Sequence, residues 1–136
     1  MSTKVESIIL CEDVRKEITN KEILIGVYSG NIVVKSYPTM LRLNLWVELL
    51  PDSIGERSLH LKVDTPSGNP PIEIDFKMDV NDQITPGAVT IPKLAMNIER
   101  DGEIVISFKE NDGEWAVVKR KKVMRGVVMS GGLAPN

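Results

Sequence analysis

The chain has 136 residues, 42% of them hydrophobic and 26% charged, and a formal net charge of −2. That length fits one domain that buries roughly two-thirds of its unfolded surface, so a core can form without metal or disulfide. The composition is ordinary for a soluble globular protein, and the slight negative charge argues against bulk electrostatic attraction to nucleic acid or anionic membrane.

The opening residues lack a secretory signal pattern: Ile8-Ile9-Leu10-Cys11 is too short an apolar run, and Glu12 and Asp13 close it. Cys11 is the only cysteine, so no internal disulfide and no oxidising compartment is implied. No stretch approaches the roughly 18 apolar residues of a membrane helix. The expected compartment is the cytoplasm, with no membrane partner.

Thr19-Asn20-Lys21 reads as a turn between residues 7–18 and 22–28. The run Ile23-Leu24-Ile25-Gly26-Val27-Tyr28 reads as a strand buried on both faces, with Gly26 marking a bulge or close backbone approach. Ser29-Gly30-Asn31 then turns into Ile32-Val33-Val34. Alternation, the mark of a strand with one buried face, is cleanest at 41–49. There Leu41, Leu43, Leu45, Val47 and Leu49 point one way, and Arg42, Asn44, Trp46 and Glu48 the other. It recurs at 59–63, at 72–80 with Ile72, Ile74, Phe76, Met78 and Val80, and again at 94–98 and 104–108. The segments 51–55 and 65–71 are loops by their Pro, Gly, Asn and Ser content. Asp101-Gly102 and Asp112-Gly113 carry the dipeptide of a type I′ hairpin. The residues predict an all-β fold, an antiparallel β-sandwich of about eight or nine strands, with the C2 type as a candidate form. It spans residues 1–128, and residues 129–136 are expected to be a flexible tail.

A hairpin between 41–49 and 58–64 would place Trp46 opposite His60 or Lys62, and pairing of 59–64 with 72–80 would place Lys62 opposite Glu73 or Asp75. The outer surface of that meander would carry Arg42, Trp46, His60 and Lys62, together with Asp75 and Lys77. An outward tryptophan beside an arginine has the character of an interface anchor. The alternative is that another segment, the N-terminal strand or the tail, covers it.

Catalytic constellations are scarce. Cys11 and His60 are the only thiol–imidazole pair, and the plain reading is a small, partly buried thiol and a surface histidine. They are also too few soft ligands for zinc. Asp52, Asp79 and Asp82, joined by Asn81, fall on loops at one end of a simple meander and are the calcium candidates, although Asp and Asn are equally turn residues. No phosphate-binding glycine motif occurs, and no cofactor is expected. Lys119-Arg120-Lys121-Lys122 is the sharpest charge feature. A strand would split it between two faces, which suits guarding a sheet edge better than gripping nucleic acid, and base-stacking aromatics are few.

The stretch Ile9-Leu10-Cys11-Glu12-Asp13-Val14-Arg15, followed by Glu22-Ile23-Leu24-Ile25-Gly26-Val27-Tyr28-Ser29-Gly30, resembles the opening of a family of small bacterial proteins catalogued only as a domain of unknown function. The likeness is to a Leu-Cys-x-Asp-Val-Arg … Leu-x-Gly-Val-Tyr pattern over about the first 35 residues. It implies a bacterial, cytosolic, β-rich protein and supplies no activity, cofactor or catalytic residue. The expected function is a non-enzymatic module presenting a sheet face or edge to a protein partner or to itself, the alternative a C2-like domain binding a ligand or calcium.

Overall fold

The computed structural model describes residues 2–81 and 83–126. The expected tail 129–136 and Asp82 therefore lie outside the described residues. Among those described there is no helix, and the strands are β1 (Thr3–Lys16), β2 (Glu22–Val27), β3 (Ile32–Val34), β4 (Thr39–Pro51), β5 (Gly55–Asp64), β6 (Ile72–Val80), β7 (Gly87–Ile98), β8 (Gly102–Glu110) and β9 (Ala116–Arg125). They form two packed sheets, ordered β2-β1-β4-β7 and β3-β9-β8-β5-β6. The chain is a β-sandwich.

Alternation builds the core. Leu45, Val47 and Leu49 of β4 and Leu59, Leu61 and Val63 of β5 are all buried, as are Ile8 and Leu10 of β1 and Ile104 and Ile106 of β8. Burying each such side chain contributes about 1.5–3 kcal/mol before chain entropy is charged against it. Phe76 and Met78 of β6 pack against this cluster from the rim and stay half-exposed.

Four expectations are corrected. First, β4 and β5 do not pair: β4 lies between β1 and β7, and β5 between β6 and β8. Period-two burial fixes which side of a strand faces inward, and two strands facing each other across a core satisfy it as well as two neighbours do. Asp52-Ser53-Ile54 is thus an arch between sheets, pinned by Arg57, whose Nη2 donates to the carbonyls of Ser53 and Gly55. Second, Asp101-Gly102 is not a hairpin turn, because β7 and β8 belong to different sheets. The Asp101 carboxylate accepts from the Tyr37 hydroxyl and the Arg125 amide. Gly102 is there for close approach: a Cβ would sit 2.8 Å from the Pro66 Cβ.

Third, β3 runs parallel to β9, the one parallel pairing among the described residues. Fourth, β2 is not buried on both faces. It is an edge strand with Ile23 43%, Ile25 40% and Val27 46% exposed. Other expectations hold: Thr19-Asn20 turns β1 into β2 with Asn20 at φ 70°, and Lys62 opposes Glu73. The β8–β9 connection is a turn but not a type I′ pair at Asp112-Gly113: it runs from Glu110 to Gly113, whose amide donates to the Glu110 carbonyl, with Asn111 at φ 53°.

At one end a buried polar cluster ties the sheets together. Arg57 Nη1 lies 3.3 Å from the Thr3 hydroxyl, to which it donates, and 3.6 Å from Glu110 Oε2. The Thr3 amide donates to Glu110 Oε1 at 3.0 Å. Arg57 Nε is buried without a hydrogen-bond partner.

Candidate functional site

β1 changes partner part-way along. Its ladder with β4 ends at Cys11↔Asn44, where its ladder with β2 begins at Cys11↔Val27. Beyond Cys11 the strand leaves the sandwich and forms a two-stranded arm with β2. The arm bends at a glycine: Gly26 has φ +66°, and a Cβ there would overlap the Glu12 carboxylate, so both backbone sign and space demand glycine.

The arm folds back over the sandwich. Glu22, at its far end, pairs with Lys16, while Trp46 pairs with Ile9. A straight sheet would hold those two levels about 23 Å apart at 3.3 Å per residue. Yet Trp46 Nε1 donates to Glu22 Oε1 at 3.1 Å, and the Thr90 hydroxyl donates to Glu22 Oε2 at 3.4 Å. The arm therefore crosses the outer face of the four-stranded sheet. Since opposed residues share a face, Glu22, Lys16, Val14 and Leu24 look down on the sheet, and Val14 and Leu24 are half-buried accordingly.

The opposite face looks at solvent, with Asp13 opposed to Ile25 and Arg15 opposed to Ile23. Asp13 Oδ2 accepts from Arg15 Nε at 3.0 Å, and that bond holds the Asp13 carboxyl below its usual range. Ile18 at the tip is fully exposed. Glu17 and Lys21 close the tip with a 3.6 Å ion pair.

The expected interface residues are divided by this topology. Trp46 and Arg42 lie on the four-stranded sheet, Trp46 half-covered by the arm and Arg42 exposed. His60 and Lys62 lie on the five-stranded sheet, so the four share no surface. There His60 Nδ1 stands 2.6 Å from Asp75 Oδ1, and Lys62 lies 4.4 Å from the centre of the Trp115 ring, with Lys109 at 4.8 Å. Trp115 was not apparent from alternation, because it sits just outside β9 in the link following the Glu110–Gly113 turn.

Cys11 and His60 do not meet either. The thiol is fully buried in β1, where burial pushes its pKa up, and the imidazole lies on the outer side of the other sheet. Asp52 and Asp79 do come to one end, since Gly55 opposes Val80. However, Asp52 Oδ1 already accepts from the Ser2 amide at 2.7 Å and the Ser53 hydroxyl at 2.9 Å, while Asp79 opposes Glu56 on the outer face. Among the described residues no group of three His, Cys, Asp or Glu side chains is placed to hold a metal.

An open cleft of about 250 Å³ lies between β6 and β7, walled by Leu49, Phe76, Met78, Ala88 and Val89. Lys77 is the one charged group on its wall. It lacks the convergent polar groups that orient a small ligand.

Neither a protein-family model nor a curated protein matches the chain. No helix among the described residues is long and apolar enough to cross a membrane.

The free strand edges differ in how they are guarded. β6 alternates Glu73, Asp75, Lys77 and Asp79 on its outer side. β7 is interrupted by Pro92 and by Lys93 at φ 55°. β3 is three residues long and covers only Val123–Arg125 of β9. The stretch of β9 that β3 leaves uncovered carries Lys119-Arg120-Lys121-Lys122, with Lys119 and Lys121 on the inward side opposite Ile106 and Ile104. Burial, then the charge of Lys119, lowers the Lys121 pKa. Charges, proline, bulges and shortness are the devices that stop strands from pairing with other chains. β2 is broken at Gly26 by its φ of +66°, and ahead of that break it shows Ile23 and Ile25 instead, its one carboxylate turned down to Trp46.

Proposed function

We propose that this chain is a non-enzymatic protein-interaction module of the bacterial cytosol, which docks a protein partner along the β2 edge of its arm by strand addition. The single observation behind this reading is the contrast among the edges. Strand addition needs unpaired backbone groups for affinity and alternate side chains for specificity. β2 offers both, with Ile23 and Ile25 beside the Asp13–Arg15 pair as the readable side chains. The free thiol of Cys11 and the likeness of the first 35 or so residues to small bacterial proteins support the compartment. Neither nucleic acid nor membrane is a proposed partner.

A photo-reactive amino acid placed at position 25 in the full chain, expressed in bacteria, tests this directly. Capture of a discrete protein at position 25, and none from the more exposed Ile54, is the expected result. Equal labelling from both positions would sink the reading.

A further inference from the structure

We propose that the β1–β2 arm is a strap, closed over Trp46 by Glu22 and lifting at a hinge line through Glu12 and Gly26 while the sandwich stays shut. This goes beyond the docking of β2 and gives the arm a closed and an open form.

The hinge is visible in the pairing. The register passes from Cys11↔Val27 to Asp13↔Ile25, and no ladder pair joins Glu12 to Gly26 between them. Both strands of the arm are thus interrupted at one level, beside Cys11, where the ladder with β4 also stops. Gly26, at φ +66°, has the backbone freedom to absorb the change in direction that a hinge must take up. Beyond that line the arm is complete in itself. Its strands pair with each other from Asp13 to Lys16, and the Glu17 amide closes the tip on the Lys21 carbonyl at 2.7 Å. Its catch on the sandwich is small: the two oxygens of Glu22 on Trp46 and Thr90, and the half-buried Val14 and Leu24. Both donors to Glu22 are uncharged, the weaker kind of partner for a carboxylate.

What lies beneath explains why a strap is needed. The outer face of an antiparallel sheet is ordinarily polar. Here Ile9 and Trp46 stand opposed on it, each half-buried. Lifting the arm bares Trp46, whereas Ile8, Leu10 and Val47 on the inner side remain sealed.

Exchange of the Trp46 indole proton with solvent, followed by NMR in the full chain, tests the strap, because Glu22 holds that proton in the closed form. A lone two-stranded hairpin is marginal in water, so amides at 22–25 should exchange in the same opening. Both rates should be insensitive to low denaturant, while the amides of Leu45 and Val47 exchange only with global unfolding. Glu22→Ala should speed indole and arm exchange about tenfold and leave Leu45 and Val47 unchanged. In a Trp115→Phe background it should also shift Trp46 emission to the red and admit more acrylamide. An indole proton that exchanges only with global unfolding overturns the proposal, and so does a Glu22→Ala chain with native exchange and emission. Should that variant fail to fold, indole exchange in the native chain decides alone. Capture at position 25 without local indole exchange removes the strap and leaves the docking edge. Local indole exchange without capture does the reverse.

Discussion

The two halves of β1 are held by different physics. From Thr3 to Leu10 the strand lies beside β4, its Ile8 and Leu10 sealed in the core and its first residue clamped by Arg57 and Glu110. From Asp13 onward it has only β2 for a neighbour, and the arm is fastened by Glu22 and by the half-buried Val14 and Leu24. The first half cannot change without the sandwich changing. The second can loosen or pair elsewhere while the core stays shut, and interaction elements are drawn from such low-stability regions.

Removing the clamp should be the most damaging way to probe this contrast. Arg57→Ala leaves Glu110, only 12% exposed, beside a void without its counter-charge. A loss of about 3–5 kcal/mol is expected in denaturant unfolding, since breaking a buried pair strands the remaining charge. The arm should respond more gently. Trp46→Phe removes the indole donor to Glu22 and should cost about 1 kcal/mol of arm docking, speeding amide exchange at 13–16 and 22–25 about fivefold. Amides at 8–10 should be unaffected; equal acceleration in both halves would show that the arm does not open on its own. The smallest effect concerns Asp52, which anchors Ser2 at the start of the first half. The Ser2 amide, then the Ser53 hydroxyl, hold its carboxyl below its usual range. Its stabilising contribution is therefore present above the unfolded carboxylate value and is lost as pH falls through the depressed folded value. Asp52→Asn should flatten the acid side of the stability profile, measured as denaturant midpoint against pH, and leave the arm's exchange unchanged.

Much of the sandwich was legible because alternation is a burial code. Leu41–Leu49, Leu59–Val63 and Ile72–Val80 each announced a strand and its inward side. Strand neighbours were not legible, because Trp46 and His60 have the same parity whether their strands adjoin or face each other across a core. The arm was misread for a related reason. Ile23-Leu24-Ile25 has the same composition in a doubly buried strand as in an exposed edge strand, and local sequence carries no mark of which. Gly26 did signal something real, although the need came from Glu12 and only the fold showed it. Asp101-Gly102 misled because aspartate served Tyr37 and glycine served Pro66, neither of them making a turn.

The parallel pairing of β3 with β9 has a consequence for how the chain assembles. Ile32 must wait for Val123, and β4 for the distant β7, so neither sheet closes from neighbouring segments alone. Such high contact order places folding in the millisecond-to-second range, after costly loop closure. On a ribosome, β2 emerges before β4 and β7, the strands that complete its sheet. The edge with the least protection is thus also among those exposed longest before the molecule exists as a whole.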